Sequence, residues 1–404
     1  MSRPRLVFVT PVPPSPQSTS GFSARVHHFV GAAAERMDVT VVLIRSPDSG
    51  LADGNGASAA DRVIALDAPR APWNEPTAKG RALRALVHYP FDPLPFDCYP
   101  HKWPRLREVL AAEKPDVVAF YLPLLAHLAD HAPVATPVVG VLEEGWERLV
   151  SASLEGPRWK TAWLSRREAS RFATVYRRMD RRASAVVAIS EQEKQSFTRT
   201  IDPEKIHVIP NGIDTTYFSP RDDVDRDTDV LVVGDLRSPR NYVGALRTWE
   251  SARAEGWRWT FVGAVEDQLA EQLRAGGAAV TGAVQDLRPY YERARSVLVP
   301  ALDGSGVKST SIQAWAMRRP LVASPVGARG LPVRDGENAL VGDDPEALVE
   351  CLRRVLSDAG AAERLADEGM RAALRDCDLA AIAPRFAELC VDVLGADLAE
   401  VSRA

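Results

Sequence analysis

Residues 301–342, ALDGSGVKSTSIQAWAMRRPLVASPVGARGLPVRDGENALVG, hold the densest set of groups able to do chemistry. A turn bracketed by Gly304 and Gly306, with Ser305 between them, passes through Val307 and Lys308 into a stretch that predicts a helix over 310–317. The N–H groups left free at a helix start, reached across a glycine turn, favour an anion. Lys308 adds a mobile cation at the same end. The expected ligand is a phosphate or diphosphate. Two more glycine-led loops each follow an apolar run: Gly234-Asp235-Leu236-Arg237-Ser238-Pro239-Arg240-Asn241 and Gly263-Ala264-Val265. Three such loops at strand ends suit a nucleotide, with Arg240 and Lys308 toward its diphosphate and backbone groups toward its base.

The elements that must position these loops follow from hydrophobic patterning. Short β-rich runs alternate with helical stretches, the mark of parallel sheets with crossover helices. In the first half the runs are 6–10, 39–44, 63–66, 117–121, 138–142, 185–189 and 207–209. After a polar, turn-rich break at 211–229 they restart at 230–233, 259–262, 279–281, 296–299 and 321–323. Several are apolar on both faces, as strands covered on both sides must be. The class is α/β, with two doubly wound Rossmann-like domains. Residues 1–210 form the first, 211–229 a linker, 230–379 the second, and 380–404 a last helix packing back toward the first domain.

Composition agrees. A chain of 404 residues suits two cores rather than one. A net charge of -4 gives no pull toward nucleic acid. Cys98, Cys351, Cys377 and Cys390 show no metal-ligand spacing and read as thiols of a reducing compartment. No apolar run approaches the roughly 18 residues of a membrane span. The opening MSRPRLVFVTPVPP reads as a first strand, not a signal peptide, so a cytoplasmic location is expected.

Two segments depart from the repeat. Residues 68–104 are rich in proline and aromatics, and read either as a pocket wall or as a surface excursion tucked onto the first domain. Residues 158–182 carry nine arginines and lysines against Glu168 and Asp180. They read as a basic helix for anionic lipid head groups or a polyanionic acceptor, or else as a solvated helix with internal ion pairs.

Three stretches carry a family resemblance: VIPNGIDTTYFSP at 208–220, VVGDLRSPRNYVGAL at 232–246, and VTGAVQDLRPYYERARSVLVPALDGSGVKSTSIQAWAMRRPLVASPVGARGL at 280–331. In order and spacing the second half resembles the donor-binding domain of retaining GT-B glycosyltransferases of the family-4 type. The first half is similar more loosely, through LVFVTPVPP, LEEGW at 142–146 and AVVAISEQE at 185–193. The resemblance implies the GT-B architecture, two Rossmann-like domains about a central cleft. It also implies transfer of a sugar from a nucleotide-diphosphate sugar with retention, in envelope polysaccharide or natural-product glycosylation. It implies no bound metal and no further cofactor. A small-molecule, lipid-linked or glycan acceptor follows, with segment 158–182 as a peripheral contact to the inner face of a membrane.

Carried over position by position, the resemblance gives a donor set of Gly234, Arg237, Arg240, Asn241, Gly263, Ser305, Gly306, Val307, Lys308 and Gln313. The family's Glu-x7-Glu pair, which contacts sugar and ribose, is here Ser305 and Gln313. A family arginine is here Asp235, its diphosphate lysine is Arg240, and Lys308 matches a branch with a GxGxK turn. Asp235 would repel a diphosphate unless turned onto Arg237 or Arg240. The family's residue beside the sugar follows the strand at 138–142, which here runs into Glu143 and Glu144. Glu144 is the first candidate and Glu143 the second for orienting the acceptor or stabilising positive charge on the sugar. The alternative is that both cap a following helix. Gly21 and Phe22, at a turn before the first helix, are acceptor-side candidates. Asp223-Val224-Asp225 matches the DxD of metal-dependent transferases but lies in the polar linker and reads as solvated charge. The altered donor positions leave a second reading: a catalytically impaired GT-B protein that binds or scaffolds another transferase.

Overall fold

The central strands of the first sheet carry almost no polar side chains. The computed structural model describes residues 3–16, 21–45, 60–67, 103–143, 158–221, 223–237, 239–302 and 306–401, and every structural statement concerns these. Strands β1 (Arg5–Thr10), β2 (Asp38–Arg45), β3 (Arg62–Asp67), β4 (Val117–Tyr121), β5 (Val138–Glu143), β6 (Ala185–Ala188) and β7 (Ile206–Val208) pair in the order β3-β2-β1-β4-β5-β6-β7. All pairs are parallel. The five residues of β4 and the four of β6 are buried throughout, as strands with cover on both faces require.

One face packs on helix α1 (Gly21–Ala34) through Val26, Phe29 and Val30. The other packs on a nine-residue 3-10 segment (Pro123–His131), on helix α2 (Pro104–Glu113) and on helix α3 (Arg158–Arg182) through Phe172, Tyr176 and Met179. Of the proline-rich stretch, Trp103 and Pro104 are described, and Trp103 is buried in this core. Residues 68–102 lie outside the described residues. Helix α4 (Glu191–Phe197) starts on a Ser190 cap whose hydroxyl accepts the Glu193 N–H.

His131, in the 3-10 segment, has its pKa lowered from 6.5, by burial first and by Arg107 second, against smaller opposing pulls from a backbone hydrogen bond with Leu128 and from Asp130. The folded chain therefore holds the imidazole neutral, while the unfolded chain takes up a proton as pH falls through 6.5. The stabilisation is present above that value and is lost below it. Urea midpoints should fall between pH 7.5 and 5.5, and less steeply in His131→Gln; equal slopes would remove His131 from the account.

The second sheet pairs β8 (Thr228–Val233), β9 (Trp259–Val262), β10 (Ala279–Val280), β11 (Ala294–Val299), β12 (Leu321–Ala323) and β13 (Leu340–Val341) in the order β10-β9-β8-β11-β12-β13, again parallel. Strand β13 is absent from the sequence reading, because two residues are too short to show a period. Helices α5 (Pro239–Ser251), α6 (Asp267–Ala275), α7 (Arg288–Arg293), α8 (Ser309–Ala316), α9 (Pro345–Ser357) and α10 (Ala359–Asp376) complete this half. The last helix, α11 (Leu379–Val401), follows.

The chain divides into two compact units, one of Met1–Ser18, Phe22–Pro210 and Ile382–Ala404, the other of Thr19–Gly21 and Asn211–Ala381. In the first unit Phe386 of α11 stacks on Phe29, with ring centroids 4.6 Å apart, and meets Phe8 edge-on. Residues 211–229 correct the linker expectation. Ile213 and Phe218 are buried in the core of the second unit, and Ile213 bridges to Asp378. Two apolar anchors among polar neighbours are enough to dock a segment that averages as linker. Among the described residues no helix is long and apolar enough to cross a membrane.

Candidate functional site

In an open parallel sheet, loops diverge where strand order reverses, and ligands collect outside the carboxyl ends there. In the second unit that point lies between β8 and β11. A pocket of about 180 Å³ opens there, lined by Val232 to Gly234, Leu298 to Ala301 and Val307 to Thr310. Of the predicted donor set, Gly234, Val307 and Lys308 line it directly. Gly306, just before them, holds φ +76, a left-handed backbone that favours glycine.

Helix α8 is fixed over this pocket by its own sequence. Ile312, Gln313, Ala314, Trp315 and Ala316 are all buried, so nearly the whole helix is core. Ser311 donates to the Gly327 carbonyl at 2.9 Å. Ser324 donates to the Ala301 carbonyl at 2.5 Å and accepts from the Gly327 N–H at 3.1 Å. Trp315 donates from its indole to Asn338 at 2.8 Å. The serines tie the helix start to the exit of β11, which aims the N-terminal N–H groups of α8 at the pocket rim. Ser311 and Ser324 were missed from sequence, since a buried serine has no spacing signature.

Gly263 stands at φ +135, and a Cβ there would lie 1.8 Å from the Gly234 carbonyl oxygen. Its glycine is thus required by the close passage of two strand exits, independently of any ligand. Gly263→Ala should cost about 1–3 kcal/mol through clash and strain and should weaken nucleotide binding by moving Gly234. Urea unfolding with a nucleotide titration checks this; unchanged values in both would show that the exits can part freely.

Asp235 is turned onto Arg237, which binds it through Nε at 2.9 Å and Nη2 at 2.8 Å. This pairing, chiefly the hydrogen bond from Arg237, lowers the Asp235 pKa. It answers the repulsion problem and commits the Arg237 guanidinium to Asp235. Gln313 is only 4% exposed, and its side-chain oxygen accepts from the Tyr291 hydroxyl at 2.9 Å. Burial pushes the Tyr291 pKa up, so the phenol stays a donor. Tyr291 was not among the sequence candidates. Ser305 lies outside the described residues, as do the side chains of Arg240 and Asn241. Among the described residues no three His, Cys, Asp or Glu side chains gather as a metal site.

In the first unit the order reverses between β1 and β4. Phe22, in the first turn of α1, is exposed, while Gly21, the first residue of that helix, groups with the second unit. Glu143 ends β5 beyond a register shift against β6. Its carboxylate does not point outward: it is 2% exposed and 2.7 Å from Arg25 Nε. This corrects Glu143 as the second choice for a group touching the sugar, because its charge is spent inside the core. Glu144 lies outside the described residues. Arg25 was overlooked, although the signal exists: it shares a helical stripe with buried Phe29 and Ala33, four and eight residues on.

The profile described as "Glycosyltransferase Family 4" matches residues 19–217, and that described as "Glycosyl transferases group 1" matches residues 227–358. Sucrose-phosphate synthase from Thermosynechococcus elongatus superimposes with a TM-score of 0.72 at 16% identity, covering 98% of this chain and 100% of that one. The chain belongs to the GT4-like glycosyltransferases of GT-B fold. This GT-B chain is also similar to the Anabaena protein HepE in complex with UDP, with a TM-score of 0.67, 15% identity and coverage of 96% and 100%. In sequence it is 25% identical over 264 residues to an MMP alpha-(1->4)-mannosyltransferase of Mycolicibacterium hassiacum. That match spans 60% of the GT-B chain and 62% of its relative's length.

Proposed function

We propose that the chain is a retaining glycosyltransferase that moves a sugar from a nucleotide-diphosphate sugar to an acceptor in envelope polysaccharide or natural-product glycosylation. The observation that carries this reading is the pocket at the ends of β8 and β11, walled by Gly234, Val307 and Lys308. The bond from the sugar's C1 to the diphosphate breaks, a bond from C1 to the acceptor oxygen forms, and the acceptor's proton leaves with the diphosphate. Lys308, Arg240 and the start of α8 stabilise the charge that grows on the leaving group. The oxygen of Gln313 accepts from Tyr291, so a ribose contact at this position, as the resemblance implies, would fall to its amide N–H groups. With two cations, Lys308 and Arg240, and a helix start on the leaving group, this scheme calls on no bound metal. The complex of HepE with UDP supports a nucleotide-sugar donor.

A lipid-linked or glycan acceptor at the cytoplasmic face of a membrane suits helix α3. Its buried side is Phe172, Tyr176 and Met179, while Trp163, Arg166, Arg177 and Arg181 share the exposed side. Such a basic, aromatic face suits anionic head groups.

The test is titration of the full chain with UDP-, GDP-, ADP- and dTDP-sugars, followed by turnover with the sugar that binds. Binding to one nucleotide class with sugar transfer is the expected result. Nucleotide binding without turnover would favour a scaffold protein on the same fold, and no binding at all would remove the donor site.

A further inference from the structure

Arg25 is fully buried in the first unit, within the apolar face of α1. Its Nε lies 2.7 Å from the Glu143 carboxylate. Its Nη1 donates to the Pro210 carbonyl at 2.5 Å and its Nη2 to the Ile209 carbonyl at 2.8 Å. The Phe29 ring lies under the guanidinium, 4.5 Å from its carbon. One planar side chain thus joins the first turns of α1, the exit of β5 and the exit of β7. Pro210 is also where the chain leaves the first unit.

The backbone at these exits is strained. Glu143 has φ +64, and Leu122, at the end of neighbouring β4, has φ 77 and ψ 147. Such conformations persist in non-glycine residues only where surrounding contacts hold them. At Glu143 the holding contacts are Arg25 and the Ile189 N–H, which donates to the Glu143 carbonyl at 3.1 Å. Fully buried Tyr121 adds a phenol whose pKa is raised, by burial first and by the Glu143 carboxylate second. An apolar pair could fill this space without desolvating two charges. What the ion pair adds is direction: the fork of an arginine fixes three segments in one plane.

We propose that Arg25 is a positioning residue for the acceptor side of the transfer reaction. Through Glu143 and the carbonyls of Ile209 and Pro210 it sets the directions in which the chain leaves β5 and β7. Turnover therefore depends on Arg25 without any contact between Arg25 and the substrates. The proposal rests on the glycosyltransferase reading for its catalytic consequence, and on geometry alone for the three-way junction.

Arg25→Lys keeps the charge and removes the fork, so it cannot serve Glu143 and both carbonyls together. Its kcat for transfer should fall about 10–100-fold, as for a reacting group misplaced by about an ångström, while donor affinity measured by titration stays put. Glu143→Gln, which keeps the shape, should fall in the same direction. Hydrogen exchange on the full chain should quicken together at 139–143 and 206–210 in Arg25→Lys. Transfer and donor affinity falling in proportion, each tracking the fraction folded, would overturn the proposal, as would exchange that quickens in α1 alone. If the wild type transfers no sugar, the glycosyltransferase reading fails by itself. The exchange pattern then decides the junction: paired quickening upholds it, and quickening confined to α1 overturns it.

Discussion

Lys308→Met should lower kcat/KM for sugar transfer by about 10²–10³-fold, the loss seen when one donor is removed from a preorganised anion site. Lys308 lines the pocket at the head of α8, on the residue before the helix begins. There its charge adds to the partial positive charge of the helix start, and both act on the leaving diphosphate as charge develops. Methionine keeps the aliphatic stem and so isolates the charge. Lys308→Arg should retain most of the activity if a cation is all that is needed. The residue is half-buried and outside the core clusters, so the unfolding midpoint of Lys308→Met should match wild type. Steady-state kinetics with the bound nucleotide-sugar, beside a urea titration, checks both. A fall in kcat/KM below threefold would assign the diphosphate to other groups.

Arg25→Met should destabilise the first unit by about 3–5 kcal/mol, because it leaves a buried carboxylate without its partner. Glu143 is 2% exposed, so water does little to relieve the loss. The double variant Arg25→Met/Glu143→Leu should be less damaging than Arg25→Met alone, since it removes the stranded charge and fills the space. Unfolding must be followed by a probe confined to the first unit, because a two-unit chain need not unfold in one step. A double variant as unstable as the sum of the singles would show that Arg25 and Glu143 act independently.

How legible the site was depends on the physics at each position. That Gly234, Val307 and Lys308 would line one pocket was readable, because glycine turns at strand ends and a cation at a helix start leave a mark in the sequence. The strands were readable for a similar reason: two-sided burial demands unbroken apolar runs. Gly263 was read as a ligand contact, and its glycine is required by the carbonyl of Gly234. Ile213 and Phe218 were averaged into a linker because docking by two side chains changes composition too little. Glu143 was read as reactive because sequence gives a residue's place along a strand and not the partner its carboxylate meets.

The sequence by itself determined two doubly wound units, their strand ends and the GT-B family, because hydrophobic period and glycine turns are local properties of the chain. Only the tertiary structure decided which polar groups are engaged. Arg25 and Glu143 are 118 positions apart and Tyr291 and Gln313 are 22 apart, and folding alone brings each pair within hydrogen-bonding distance. A buried charge or amide must find a partner wherever the chain supplies one. That requirement is satisfied in three dimensions and leaves no fixed spacing to read.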